Sequence, residues 1–159
     1  MALSYCGLGQ IQFNRRNYDK AIEAYQKAIE VIKSHPQGLS LGFFLVKAHL
    51  GMAKAYYQLM VTREAKAHFD AALPLFTTKQ GSDFSYTWEA TDAQMYYDVA
   101  SYHALMNHPQ ETFAYLHKAL ASGWADLPTL ESDDCLSLLR DTPEYQKIVQ
   151  DLKARKPLP

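Results

Sequence analysis

The sequence predicts an all-α chain built of stacked helix pairs, and three observations carry that prediction. The first is the stretch Asn17–Glu30, NYDKAIEAYQKAIE. Its apolar residues Ile22, Tyr25, Ala28 and Ile29 stand at offsets +1, +4, +7 and +8 from Ala21. Those offsets fall on one face of an α-helix. The second is a size pattern. Small Ala21 and Ala28 share that face with large residues, so a second helix backbone can come close while the large side chains fill the flanking grooves. The third is recurrence. The same offsets return at Ala65, with Phe69, Ala72 and Leu73, and at Thr112, with Phe113, Leu116, Ala119 and Leu120.

The register extends upstream of each anchor. Leu8-Gly9, Met52-Ala53 and Val99-Ala100 stand thirteen and twelve residues before Ala21, Ala65 and Thr112, large then small each time. Tyr5, His49 and Tyr96 stand sixteen before, Phe13, Tyr57 and Ala104 eight before, and Tyr18, Thr62 and Pro109 three before. Each unit therefore reads as two helices with a small residue where they cross. One such pair cannot bury its own face, so the pairs must stack.

The elements follow in order. Ala2–Arg15 is the first helix, with Tyr5, Leu8, Gly9 and Phe13 as its apolar face. A glycine in a helix interior costs roughly 1 kcal/mol against alanine, and close approach to Ala21 is the expected compensation. Arg16-Asn17 turns the chain into a second helix, Tyr18–Ser34, which His35-Pro36-Gln37-Gly38 stops. Leu39–Met60 is a long third helix, with Leu50, Ala53, Tyr56, Tyr57 and Met60 at helical spacing. Thr62 caps the fourth, which runs to about Thr77 with a kink expected at Pro74. Thr78–Ala90 is the least periodic stretch and reads as an aromatic-anchored loop or an extension of the next helix. Thr91 or Asp92 caps the fifth helix, to about Met106, and Asn107-His108-Pro109 turns the chain into the sixth, Pro109–Ser122, which Gly123 ends.

The tail changes pattern. Ser132-Asp133-Asp134 and Thr142-Pro143-Glu144 are helix-start signals that open two short helices, Cys135–Arg140 and Pro143–Lys153. Leu136, Leu139, Tyr145, Ile148, Val149 and Leu152 supply their apolar surface. A stack needs an end piece with one apolar and one polar face, and this tail has that composition. Lys156–Pro159 is expected to fray.

Composition narrows the class of job. A chain of 159 residues supports a real core. A net charge of −1 with scattered signs points away from nucleic acid and anionic membrane. No run approaches the ~18 apolar residues of a membrane span, and no basic-plus-apolar leader opens the chain. Cys6 and Cys135 match no metal spacing, and free buried thiols in a reducing cytoplasm are expected. The chain starts almost inside a helical pattern, so it reads as part of a larger regulatory or scaffolding protein. No catalytic constellation is legible. None of the six histidines forms a metal-ligand pair, His49 and His103 read as packing residues, and Gly7-Leu8-Gly9 lies within a helix rather than a phosphate loop. The expectation is a protein that is not an enzyme and uses no metal or cofactor.

The residues Leu8-Gly9, Tyr18, Ala21, Tyr25 and Ala28 of the first unit resemble the tetratricopeptide repeat family. So do Ala53, Ala65, Phe69 and Ala72 of the second, and Ala100, Leu116 and Ala119 of the third. The resemblance covers about residues 3–122, and the first unit is its most specific part. The tail GWADLPTLESDDCLSLLRDTPEYQKIV is similar to the segment that closes bacterial arrays of this family. Ala21 to Ala65 is 44 residues and Ala65 to Thr112 is 47, against about 34 in the family; this resembles its long-helix variants.

The resemblance implies a right-handed helical-pair solenoid with pairs at 2–34, 39–77 and 91–122 in a 1–122 array, and capping helices over 123–159. It also implies a concave groove lined by the first helix of each pair. The inward positions are then Gln10 and Asn14; Lys47, Leu50, Lys54, Tyr57 and Gln58; and Gln94, Tyr97 and Ser101. Amides there can pair with a peptide backbone, and tyrosines offer contact area at low entropic cost. The family's carboxylate clamp for acidic chaperone tails is disfavoured, because Cys6 and Gln10 stand where it needs lysine and asparagine. The implied function is a protein–protein or protein–peptide interaction module. The alternatives are a peptide or small-molecule sensor that tightens on its ligand, and a self-association module that forms a homodimer through Phe84, Tyr86 and Trp88.

Overall fold

The computed structural model of the chain describes residues 1–34, 41–77 and 89–155. Every regular element among them is helical. Two compact units are present, Met1–Ser85 and Tyr86–Pro159. The tail thus shares a unit with the third helix pair. The stop at His35–Gly38, the aromatic residues Phe84, Tyr86 and Trp88, and Lys156–Pro159 lie outside the described residues.

The first unit contains α1 (Ala2–Asn14), α2 (Tyr18–Ser34), α3 (Leu41–Gln58) and α4 (Thr62–Thr77), with Pro74 inside α4. Helix α1 packs on α2 and α3 on α4, while α3 also lies against both α1 and α2. Two pairs are therefore stacked, as the repeat of small and large residues requires. The anchors Ala21 and Ala65 are fully buried, and so are Ala28 and Ala72 about two turns further on.

Tyr25 holds the stack together. Its ring is buried, and a Cβ built at Gly9 would stand 2.6 Å from it. A Cβ built at Gly51 would come closer still to the same ring. One aromatic side chain on α2 thus fills the space left by two glycines, one on α1 and one on α3. The three atoms nearest a Cβ at Gly9 all belong to the Tyr25 ring, which stands on the same helix as Ala21. Leu8 departs from expectation. It is 43% exposed, and the buried face of α1 is Ala2, Cys6, Gly9 and Phe13. Each residue advances a helix by about 100°, so Leu8 points away from the side that Gly9 presents to α2.

Three helix pairs share one turn. Arg16, Met60 and Asn107 are left-handed, at φ 61°, 63° and 57°, and each stands five residues before its anchor. The amide of Arg16 donates to Phe13 O at 2.8 Å and that of Asn17 to Gln12 O at 2.9 Å. Met60 and Val61 repeat this to Tyr57 O and Tyr56 O, both at 2.9 Å, and Asn107 and His108 to Ala104 O and His103 O, both at 3.0 Å. This is the Schellman closure, which satisfies the last carbonyls of a helix and prefers glycine at the left-handed position. Asparagine tolerates that conformation; arginine and methionine hold it under strain.

The second unit contains α5 (Glu89–Leu105), α6 (Pro109–Ala121), α7 (Leu127–Ser132), a 3₁₀ helix Asp134–Leu139, and α8 (Pro143–Ala154). Helix α5 spans Glu89–Leu105, so Thr91 and Asp92 lie inside it rather than at its N-cap position. The expected helix at Cys135–Arg140 is the 3₁₀ turn. Helix α7 is an addition to the sequence reading. The Asp126 side chain accepts from the amide of Thr129, and Pro128 sits in the first turn, so its start signal was present in the sequence. Thr142 caps α8 as expected, accepting from the amide of Tyr145. One core joins the pair to the tail through Ala100, Leu116, Trp124, Leu130, Leu136 and Ile148. The buried hydroxyl of Tyr145 donates to Leu130 O at 2.8 Å and ties α8 to α7.

Candidate interaction surface

Helices α1 and α3 lie side by side. The Cys6 thiol donates to Phe44 O at 3.7 Å near their starts, and Lys54 Nζ stands 5.4 Å from the Phe13 ring centroid near their ends. The two helices therefore run in the same direction. Polar residues that the sequence pattern assigned to a groove lie on these two helices. Gln10 is half-buried and donates from Nε2 to Asn14 Oδ1 at 2.9 Å, while its Oε1 accepts from the Tyr25 hydroxyl at 3.5 Å. Asn14 is exposed, and Lys47, Tyr57 and Gln58 are half-buried. These five side chains keep contact with solvent.

Four other expected groove residues are interior. Leu50 is buried, and Lys54 is only 5% exposed, its ammonium held over Phe13. Tyr97 and Ser101 are buried in the second unit, where Gln94 also lies. The Tyr97 hydroxyl and Ser101 Oγ both donate to Asp133 Oδ2 at 2.8 Å. Tyr97 stacks on Trp124 with centroids 4.2 Å apart, and Trp124 Nε1 donates to Gln94 Oε1 at 3.2 Å. Burial, followed by the Asp133 carboxylate, pushes the Tyr97 phenol well above its usual range. Tyr97 and Ser101 are thus taken up in fastening α5 to the 3₁₀ helix. The face expected from the repeat register is here filled by the tail, and a buried residue offers nothing to a partner.

Asp133 is the residue that sequence reasoning undervalued. Its Oδ1 accepts from the Cys135 amide at 2.9 Å, which is the capping role the sequence announced. Its Oδ2 serves α5 as well, which no local pattern reveals. A second unforeseen arrangement is a histidine pair. His49 Nδ1 on α3 lies 2.9 Å from His68 Nδ1 on α4, and Tyr56 stacks on His68. One ring must donate and the other accept, so the pair opposes double protonation. Burial first, then His68 and Lys33, lower His49 to about 4. Burial likewise lowers His68, partly offset by Glu64.

Cys6 and Cys135 are buried, and neither is in a disulfide. Burial pushes the Cys6 thiol up to about 11 despite the nearby Lys47, so it stays protonated and is a poor nucleophile. Among the described residues, no group of three or more His, Cys, Asp or Glu could hold a metal ion. No helix among them is long and apolar enough to cross a membrane. Residues 2–35 match the tetratricopeptide repeat family. No curated protein and no solved structure matches the chain.

Proposed function

We propose that the chain is a protein-interaction module that binds an extended peptide segment along α1 and α3, a reading that starts from the match of residues 2–35 to the tetratricopeptide repeat family. The observation that carries this reading is the pair of like-directed helices with Gln10, Asn14, Lys47, Tyr57 and Gln58 left in contact with solvent on them. Side-chain amides offer a donor and an acceptor each, which matches the alternating groups of a peptide backbone. Tyr57 adds apolar area with few rotatable bonds, and Lys47 favours a segment with an acidic residue. The helices are fixed by the core behind them, so the ordering cost falls mainly on the partner.

The test is selection of a displayed peptide library on the intact chain and on an Asn14→Arg/Gln58→Arg variant. Both positions retain solvent contact, so the variant should melt with the wild type. Peptides enriched on the wild type and lost on the variant are expected. Equal enrichment on both, or none on either, would sink the reading. Lys54 and Tyr97 are unsuited to this test, because replacing either disturbs the interior.

A further inference from the structure

The second and third helix pairs build the same ring cluster from exchanged residues. Sixteen and nine positions before the anchor and three after it stand His49, Tyr56 and His68 in one pair, and Tyr96, His103 and Tyr115 in the other. Tyr56 stacks on His68 with centroids 5.5 Å apart, and His103 stacks on Tyr115 at the same distance. In the third pair the facing rings are tyrosines, Tyr96 and Tyr115, with centroids 6.3 Å apart. Packing at this crossing is thus met without a facing histidine pair. In the second pair the facing rings are His49 and His68, with Nδ1 atoms 2.9 Å apart and centroids 5.2 Å apart. The difference between those two distances is close to two ring radii. The nitrogens therefore lie on the line that joins the rings and point at each other.

We propose that His49 and His68 form a two-coordinate site for a monovalent closed-shell cation, copper(I), held in line between the two Nδ1 atoms. Metal–imidazole bonds are about 2 Å long, so a linear ion sets the nitrogens about 4 Å apart, and the rings need only draw back by about 1 Å along the line they already share. Zinc and copper(II) prefer tetrahedral or tetragonal bonding. For either ion both rings would have to turn well off that line, against the stacking of Tyr56 on His68. Those ions also want more ligands, and among the described residues no group of three or more His, Cys, Asp or Glu could supply them. A linear ion needs two. The charges flanking the site offset one another, Lys33 acting on His49 and Glu64 on His68. On binding, the ring that donates its Nδ1 proton takes the Nε2–H form through water. Both Nδ1 lone pairs then bond the ion, and the site gains one positive charge with no proton released. Sequence spacing conceals the pair, because its members stand nineteen positions apart on α3 and α4.

The test is an anaerobic titration of the intact, reduced chain with copper(I) supplied as its acetonitrile complex, followed by X-ray absorption at the copper edge. One ion per chain is expected, with the intense pre-edge band of linear copper(I) and two nitrogen neighbours. Cys6 and Cys135 carry softer ligand atoms but are buried. Sulfur in the copper shell would give the ion to these thiols and overturn the proposal. So would three or more ligands, or no copper retained after gel filtration. His49→Gln and His68→Gln should each weaken binding by more than about a hundredfold, since losing an outer-shell partner alone costs about 10–100-fold. A His49→Tyr/Tyr56→His/His68→Tyr variant copies the ring cluster of the third pair. It should keep its helicity while binding no copper. Unchanged copper affinity in the variants would overturn the site, and the single glutamine variants decide the matter if the triple variant unfolds.

Discussion

The α1–α2–α3 contact and the junction between α5 and the tail solve one problem by different means. In the first, a ring fills the space above two glycines, and the interface is defined by shape. In the second, a single carboxylate gathers a phenol, a hydroxyl and a backbone amide. A shape-based contact needs only a small residue opposite a large one, so it can be repeated along a stack. A buried polar network works only when every member finds its partner. It therefore fits a junction made once, where a helix pair meets a segment unlike itself.

The comparison can be broken by substitution. Tyr25→Ala should cost about 3–5 kcal/mol, because it empties a buried site against α1 and α3 together. Denaturant unfolding would measure this, and a loss below 1 kcal/mol would show that the ring does not hold the pairs. Asp133→Ala should cost about 2–4 kcal/mol, since it leaves two buried donors without their acceptor and removes a cap. Asp133→Asn should recover part of that loss by keeping an acceptor oxygen. If asparagine proved no better than alanine, the junction would rest on packing after all.

Acid probes both units by another route. The folded chain holds His49 near 4, whereas an unfolded histidine titrates near 6.5. Between these values the unfolded state binds more protons, so stability is intact above about pH 6.5 and declines as pH falls toward 4. His68 and, in the second unit, His103 are lowered by burial and act in the same sense. Melting temperature should therefore drop on acidification, and His49→Gln should flatten the slope. An unchanged slope would count against the histidine pair. The smallest effect concerns the shared turn: Met60→Gly should stabilise by about 0.5–1 kcal/mol by relieving the left-handed methionine, with thermal melting as the readout.

Much of the fold is legible before any coordinates. Ala21, Ala65 and Thr112 align by spacing alone, and all three are fully buried. Pro109, Gly123 and Thr142 mark helix ends where they were expected. These signals are local, so the sequence carries them openly. The groove is less legible. Lys54 looks like a surface cation, yet it lies over Phe13 from a helix 41 positions away. Tyr97 and Ser101 match the register of exposed residues, but their partner is 36 and 32 positions downstream. Leu8 carries the apolar signature of a core residue, and periodicity cannot tell a covered face from a bare one. In each case the missing information is which element lies opposite.

The shared left-handed turn bears on how such a chain can grow. From thirteen residues before each anchor to the anchor itself, the three units keep step without insertion or deletion. The difference between 44 and 47 residues falls outside that stretch, between one anchor and the positions upstream of the next. A duplication or deletion cut there leaves every turn whole, whereas a cut through Arg16, Met60 or Asn107 would ruin the closure on which both flanking helices depend. The hairpin turn is thus the heritable module, and the stretches between turns are where length was free to drift.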